Sequence, residues 1–230
     1  MDGTSYSVTE VKVVDSILFI RVKVNDLSEV VKYILDVFSN VSWLDTIDEE
    51  YLRASIEACT ESTISDLTEQ LKYNNGDDIT KEVGEYVVSE LSKESITSYD
   101  DKYLKIPLAE FFKQKNSGNP GFDLHSENLE TRIILFGEAK FVSRANGYSR
   151  AFSQIVRFEK EKNDIKDLKD LGPFCSREAL NKVLKGEKGF IAAFSCTKMK
   201  TDKLIQNMLS NAKLQQLKAF SEIICVAVEL

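Results

Sequence analysis

The chain has 230 residues, of which 43% are hydrophobic and 29% charged, and its formal net charge at pH 7 is −7. These values are typical of a soluble globular protein with one large or two small domains. Arg21 interrupts the best early apolar run and the first residues lack the features of a signal peptide, so we expect a cytoplasmic protein with no membrane partner.

The first third of the chain predicts an α+β segment. Alternating, β-branched residues at 7–24 predict a hairpin or two short strands. A helix follows at 27–41, with Asn25 or Asp26 as its N-cap, and a second helix covers roughly 49–73. The turn sequence NNGDD at 74–78 ends this helix, and we place a domain boundary there, which separates residues 1–78 from residues 79–230.

In the remainder of the chain, helices alternate with strands. Residues 80–95 predict a helix, and the proline-containing segment 103–112 suits an edge strand or a loop. The predicted strands 121–125 and 132–141 are close in sequence, so an antiparallel hairpin is their simplest arrangement. Further helices are predicted at 147–162, 176–186 and 201–220, and further strands at 189–196 and 222–230. This order predicts an α/β fold with a central mixed sheet flanked by helices.

The charge is distributed unevenly along the chain. Residues 1–80 contain 6 Lys and Arg against 16 Asp and Glu, whereas residues 81–230 contain 24 against 21. Such an asymmetry indicates different partners for the two parts, although two ordinary solvated surfaces would explain it equally well.

Several familiar catalytic and metal sites are excluded by composition. The four cysteines form no Cys-x-x-Cys pair, and His125 is the only histidine, so a zinc site of Cys and His has too few closely spaced ligands. A Ser-His-Asp or Cys-His enzyme would have one possible base, and neither a Gly-x-Ser-x-Gly nor a Walker A sequence is present.

The sequence RIILFGEAKF, which begins at Arg132, predicts an apolar strand that carries two charged residues near its end. Glu138 and Lys140 share one strand face, and Asp123 on the neighbouring strand of the hairpin would lie beside Glu138. Two adjacent carboxylates repel each other unless a cation lies between them, and Mg²⁺ accepts such oxygen ligands. A lysine beside a metal-bound water suits phosphodiester hydrolysis. The alternative is a salt bridge at a strand end.

A second Glu-x-Lys sequence, Glu10-Val11-Lys12, provides an internal comparison. It also falls on a predicted strand, but no apolar run leads into it and no acidic hairpin precedes it. We interpret it as a solvated cross-strand charge pattern.

The sequence GFDLH followed by RIILFGEAKF resembles the Asp…Glu-x-Lys signature of the PD-(D/E)XK nuclease superfamily. The resemblance includes Gly84-Glu85 on the preceding helix and Gln154 on the following one. More specifically, the region from about Gly84 to Cys196, with the closing strand, is similar to the HamA family of nuclease subunits from bacterial Hachiman antiphage systems. Residues 1–78 contribute little to this similarity, and Phe122 replaces the proline of the Pro-Asp pair.

The resemblance implies a restriction-endonuclease-like core and a DNA endonuclease that depends on Mg²⁺ or Mn²⁺. Asp123 and Glu138 would bind the metal with the backbone carbonyl of Ala139, and Lys140 would be the catalytic lysine. Glu85 matches an acidic residue that many of these nucleases carry on the first core helix, although exposed glutamates are common on helices.

The expected partners are DNA and an ATP-dependent, HamB-like helicase subunit that controls cleavage, the latter implied by the resemblance alone. Basic residues that flank the site in sequence would contact phosphates, although each could be a solvated surface charge. The DNA-binding candidates are Lys113, Lys115, Arg144, Arg150, Gln154 and Arg157.

Two further functions are open at this point. The acidic segment 1–78, with Tyr33, Trp43 and Tyr51, would dock the helicase or would simply complete the core. The whole chain could also be a catalytically silent subunit that binds DNA or regulates the helicase.

Overall fold

The computed structural model describes residues 5–72, 80–113 and 121–230. Within them lies a six-stranded sheet with the strand order β1-β2-β6-β5-β4-β3. The strands are β1 (Tyr6–Val14), β2 (Ile17–Val24), β3 (Leu124–Asn128), β4 (Ile133–Lys140), β5 (Gly189–Cys196) and β6 (Glu222–Glu229).

The sheet is mixed, with a parallel centre and antiparallel edges. The four central strands β2, β6, β5 and β4 run parallel to one another. At the two edges, β1 pairs antiparallel with β2 and β3 pairs antiparallel with β4. The turn between β1 and β2 consists of Asp15 and Ser16, which both have positive φ values, as the twist of a tight hairpin requires. The predicted strands and both predicted hairpins are therefore present.

Helices cover both faces of this sheet. They are α1 (Leu27–Ser39), α2 (Glu50–Lys72), α3 (Lys81–Tyr99), α4 (Ala109–Phe112), α5 (Tyr148–Lys160), α6 (Asn163–Leu171), α7 (Arg177–Leu184), α8 (Thr201–Leu209) and α9 (Ala212–Leu217), together with a 3₁₀ helix at Ser42–Thr46. Asp26 is the N-cap of α1, because its side chain accepts a hydrogen bond from the Glu29 N–H.

Two hydrophobic clusters fill the space between the layers. One cluster joins the sheet to α5, α7, α8 and α9 through residues such as Phe136, Phe152 and Phe190. The other joins the opposite face to α1 and α3 through residues such as Ile34 and Leu135. The predicted α/β fold with a central mixed sheet between helices is confirmed.

Helix α3 lies against the sheet and is itself enclosed on its outer side. All of its residues from Val87 to Ile96 are buried, including six polar or charged ones. Its close approach to the end of β4 depends on Gly84, because a Cβ at this position would lie 2.3 Å from Cγ of Phe141.

Several details differ from the sequence-based expectation. The segment 103–112, predicted as an edge strand or a loop, contains helix α4 at Ala109–Phe112. Helix α6 was not predicted, the predicted helix at 201–220 is divided into α8 and α9 around Asn211, and β3 continues to Asn128 rather than ending at residue 125. Asn211 divides the helix because its side chain caps α9, accepting a hydrogen bond from the Lys213 N–H. The proposed boundary at 74–78 lies outside the described residues.

Across the described ranges, the structure contains no helix with the length and apolar character needed to span a membrane.

Replacing Gly84 with alanine is expected to lower the free energy of unfolding by about 1–3 kcal/mol, because the added methyl group overlaps the Phe141 ring. This sign is opposite to the gain of about 0.5–1 kcal/mol that alanine normally brings to a helix interior. Urea unfolding measures the difference. Gly172→Ala is the control, since its Cβ would approach the Lys169 carbonyl oxygen only to 3.6 Å. Equal stability of Gly84→Ala and wild type would contradict the tight packing of Phe141 on α3.

Candidate active site

The hairpin of β3 and β4 brings Asp123 to Glu138. Leu124 lies opposite Gly137 in the register, and the Asp123 N–H donates to the Gly137 carbonyl at 2.9 Å. Asp123 Oδ2 accepts a hydrogen bond from the Ala139 N–H at 2.8 Å. Gly137 permits this approach, because a Cβ there would lie 2.5 Å from Leu124 Cγ. The expected neighbourhood of Asp123 and Glu138 is therefore present.

Glu138 and Lys140 form a buried ion pair at the end of β4. Glu138 is 0% exposed, and its Oε1 lies 2.5 Å from the Lys140 ammonium. Its Oε1 is held by Lys140, whereas its Oε2 has no hydrogen-bond partner within the described part of the chain. Glu138 therefore keeps unused acceptor capacity at Oε2.

Glu85 supplies a third carboxylate to this cluster from α3. Its Oε1 is 3.7 Å from Lys140 Nζ, and also 3.7 Å from Lys81 Nζ one turn earlier on the helix. The packing of Gly84 against Phe141 puts this turn of α3 next to the end of β4. Helix α3 and strand β4, which are distant in sequence, thus place the Glu85 carboxylate next to the Lys140 ammonium.

Burial and mutual repulsion change the acidity of the two hairpin carboxyl groups. Loss of solvation raises the pKa of Asp123, and Lys140 and the Ala139 N–H oppose this shift. Loss of solvation, with the charge of Asp123 adding to it, raises the pKa of Glu138 well above its usual value. The pair therefore resists carrying two negative charges, and a cation placed between the two groups would relieve this resistance.

Lys140 and Glu85 respond to the same surroundings in different ways. Burial by itself lowers the pKa of Lys140, but the charges of Glu138, Asp123 and Glu85 outweigh burial and raise it. Loss of solvation raises the pKa of Glu85, and Lys140 and Lys81 partly offset this. Lys140 consequently stays protonated at neutral pH.

The donor set suits a hard cation with few protein ligands. In residues 5–72, 80–113 and 121–230, no group of three or more His, Cys, Asp or Glu side chains is arranged to hold a metal ion. Asp123 and Glu138 alone provide two carboxylates, and Mg²⁺ typically takes one or two carboxylates together with water and substrate phosphate. The unpaired Oε2 of Glu138 fits such an ion, whereas two carboxylates do not fit a closed structural metal site.

A small acidic cleft opens beside Asp123. Its volume is about 100 Å³, and its lining consists of Glu82, Glu85, Tyr86, Ser89, Leu108, Glu110 and Asp123. The Tyr86 hydroxyl donates to Glu110 Oε2. The cleft reaches Asp123 and Glu85, which are both partly exposed, whereas Glu138 is fully buried behind them.

The predicted DNA-binding residues occupy different environments. Arg144 precedes α5, Arg150 lies in its first turn, and both are exposed. Arg157 is exposed and lies 4.0 Å from Glu161, and Gln154 is partly buried. Lys113 is already neutralised by Asp167, at 2.8 Å. The remaining candidate, Lys115, lies outside the described residues.

Asp167 on α6 is the contributor that sequence reasoning missed. Its Oδ2 accepts a hydrogen bond from the Phe122 N–H at 3.1 Å and lies 3.2 Å from His125 Nε2, while Lys113 donates to the Phe122 carbonyl at 3.2 Å. These contacts hold Phe122 and His125, which flank Asp123 in the sequence, in fixed positions. No local pattern around residue 167 signals this role, because it depends on α6 folding back against the hairpin.

The second Glu-x-Lys sequence has a different environment, as expected. Lys12 lies 2.5 Å from Glu10 and 2.7 Å from Asp202, and all three side chains are partly or largely exposed. Their strand, β1, forms the sheet edge opposite to β3. The same short motif therefore occurs once on a solvated edge and once in a buried acidic cluster.

Comparison with known proteins gives no family assignment: no protein-family model matches the chain, and no curated protein matches it significantly.

His125 is expected to remain neutral down to about pH 5, because burial lowers its pKa to about 4, with Lys113 adding to the shift. Unfolded histidine titrates near about 6.5, so the unfolded state binds the extra proton first and stability falls as the pH decreases from about 6.5 to 4. NMR titration measures this directly, since the chain has one histidine and hence one imidazole signal. An apparent pKa near the usual value would contradict the burial of the imidazole.

Proposed function

We propose that this chain is a metal-dependent DNA endonuclease of the PD-(D/E)XK type. The observation that carries the proposal is the buried cluster in which Asp123, Glu138 and Lys140 meet at the open end of the β3–β4 hairpin. A second carboxylate beside the fully buried Glu138 opposes its ionisation, so the arrangement costs stability if it is only a structural ion pair.

The order of elements around this cluster supports the same proposal. Helix α3 carries Glu85, an isolated bridge joins Tyr103 antiparallel to Asn128 of β3, and the β3–β4 hairpin follows. Helix α5 then crosses over to β5, which is parallel to β4. The resemblance drawn from the sequence implies this arrangement of a leading helix, a hairpin with the acidic residues and a following helix.

Asp123 and Glu138 would hold Mg²⁺ or Mn²⁺, with the Ala139 carbonyl as a further ligand. Such an ion, when bound, would lower the pKa of a coordinated water and stabilise charge on a phosphate. The protein prepares the ligands beforehand, because the Ala139 N–H holds Asp123 and the strand backbone holds Glu138.

Lys140 would orient the attacking water and donate a hydrogen bond from its ammonium to a phosphate oxygen. Its raised pKa keeps the ammonium charged, and its side chain is largely shielded from solvent, which strengthens its field at the substrate. Glu85 would restrain Lys140 from the α3 side at 3.7 Å. The lysine thus acts as a positioned cation rather than as a base.

The substrate would approach along the surface that carries Arg144 and Arg150. Both side chains are exposed next to the N-terminus of α5, which follows the catalytic strand directly. Arginine contacts with phosphates are independent of base sequence, so we infer nonspecific DNA binding.

Membership of the HamA family, an antiphage role, control by a HamB-like helicase and a cytoplasmic location all rest on the sequence and its resemblance. Docking of the helicase on the acidic segment 1–78 is part of this proposal. Of the aromatic residues suggested for docking, Tyr51 is 78% exposed, whereas Tyr33 and Trp43 are partly buried. Tyr51 is therefore the best placed of the three to contact a partner.

A silent subunit that binds DNA or regulates a helicase is the second candidate. It is favoured by the close ion pair of Glu138 and Lys140, which satisfies the lysine without a substrate. Cleavage activity separates the two functions.

Replacing Glu138 or Lys140 with alanine is expected to reduce Mg²⁺-dependent plasmid cleavage by about 100-fold or more, because each removes a group that contacts the reacting phosphate or its metal. The assay compares the chain alone with the chain plus its helicase partner and ATP. Glu10→Ala and Lys12→Ala are matched controls, since they alter the same motif on the opposite edge of the sheet. If wild type cleaves no better than the Glu138 variant in either setting, the silent subunit is the correct function.

Charge reversal of both Arg144 and Arg150 is expected to weaken DNA binding and to reduce the slope of log affinity against log salt by about 1 per lost phosphate contact. Fluorescence anisotropy at several salt concentrations measures both quantities. Arg177→Glu is the control, because this exposed residue begins α7, near Glu127 and the other end of the hairpin. Unchanged affinity and slope in the double variant would remove this surface from the DNA-binding proposal.

A further inference from the structure

A second cavity lies away from the hairpin, between α1, the 3₁₀ helix, α3 and α4. Its volume is about 420 Å³, which is within the range of small-molecule sites. Among the described residues, its lining consists of Tyr33, Val37, Phe38, Asn40, Ser42, Trp43, Lys93, Glu94, Lys105, Pro107 and Phe111. We refer to this space as the aromatic cavity.

Aromatic rings from three different elements form the body of the aromatic cavity. Phe38 and Phe111 are buried and pack edge to face, with ring centroids 4.8 Å apart. Tyr33 and Trp43 line the same space and are only partly buried, while Tyr33 also packs against Tyr6 and Trp43 against Phe174. Aromatic side chains that line a recess can stack against a planar heterocycle.

Charged groups are present at the inner wall and at the opening. Lys93 and Glu94 are buried residues of α3, and Lys93 Nζ lies 2.8 Å from Glu90 Oε2. Lys105 is exposed, and its ammonium lies 2.5 Å from Glu94 Oε1. An ammonium has three N–H donors, so Lys105 keeps donors that are not used by Glu94. The buried Glu94 carboxylate is held where it can accept a hydrogen bond from a ligand N–H.

We propose that the aromatic cavity binds a mononucleotide. The rings would stack on the base, Glu94 would accept hydrogen bonds from base N–H groups, and Lys105 would contact the phosphate at the opening. Asn40 and Ser42, both exposed on the rim, offer polar groups for the sugar. Lys93 is already paired with Glu90 inside the wall, so Lys105 at the opening is the lysine of this lining that would meet an anionic group of the ligand.

This site is separate from the hairpin cluster. None of its lining residues contributes to the cluster of Asp123, Glu138 and Lys140, so the proposal stands whether or not the chain is a nuclease. Helix α3 is nevertheless common to both, since it carries Glu85 near its first turn and Lys93 and Glu94 farther along. A bound nucleotide would therefore contact the same helix that supports Lys140.

The chain contains one tryptophan, so tryptophan emission comes from Trp43 in the cavity lining. The experiment titrates the full chain with AMP, GMP, CMP, UMP and inorganic phosphate, and follows Trp43 emission together with heat by calorimetry. We expect saturable binding of at least one nucleotide and an affinity for phosphate alone that is at least about 10-fold weaker.

Lys105→Ala is expected to weaken nucleotide binding by about 10-fold or more, and Tyr33→Leu to weaken it by a similar factor. Lys102→Ala is the matched control, because Lys102 pairs with Asp100 and lies outside the cavity lining. Thermal melting first establishes that each variant is folded. The proposal is overturned if neither fluorescence nor calorimetry detects saturable binding of any of the four nucleotides. It is also overturned if phosphate alone binds equally well, or if a folded Lys105 or Tyr33 variant binds as tightly as wild type.

Discussion

The hydrogen bond from the Ala139 N–H to Asp123 Oδ2 is the contact on which the candidate active site depends. It joins the segment before β3 to the end of β4, and it makes an acid from one strand a permanent neighbour of the acid on the other. Since the two negative charges repel each other, the arrangement needs other contacts to stabilise it. Lys140 pairs with Glu138 on β4, and the Asp167–Lys113 pair holds Phe122 next to Asp123. Contacts from α3, α6 and the hairpin together thus stabilise these closely spaced charges.

The hairpin and its acids were accessible to sequence reasoning because they depend on local rules. Strand alternation puts Glu138 and Lys140 on one face, and the short connection between two apolar strands dictates antiparallel pairing. Even the contrast with Glu10 and Lys12 follows from the apolar residues that precede one motif and not the other. Where neighbours in sequence determine neighbours in space, the prediction succeeds.

The support around the hairpin was inaccessible for the opposite reason. Asp167 belongs to a short helix in which Ile165, Leu168 and Leu171 recur at helical spacing, but its contact with Phe122 spans 45 residues and no local pattern specifies it. The aromatic cavity likewise combines α1, α3 and α4, and its Lys93 and Glu94 look like ordinary solvated charges in the sequence. The burial of such residues is decided by how helices pack, which periodicity within one helix does not encode.

The parallel pairing of β2 with β6 has a consequence for how the chain reaches this structure. Arg21 on β2 donates to Glu229 on β6 across a separation of 208 residues, so two central strands meet only after nearly everything between them has been synthesised. Contacts this distant in sequence slow folding, because a long loop must close before they form. During synthesis, β2 would pair with β1 in the hairpin, but its other edge would stay unpaired until β6 is made. Joining of the β1–β2 hairpin to the rest of the sheet is therefore a late event, and a chain released before β6 leaves both β2 and β5 exposed to pairing with other molecules.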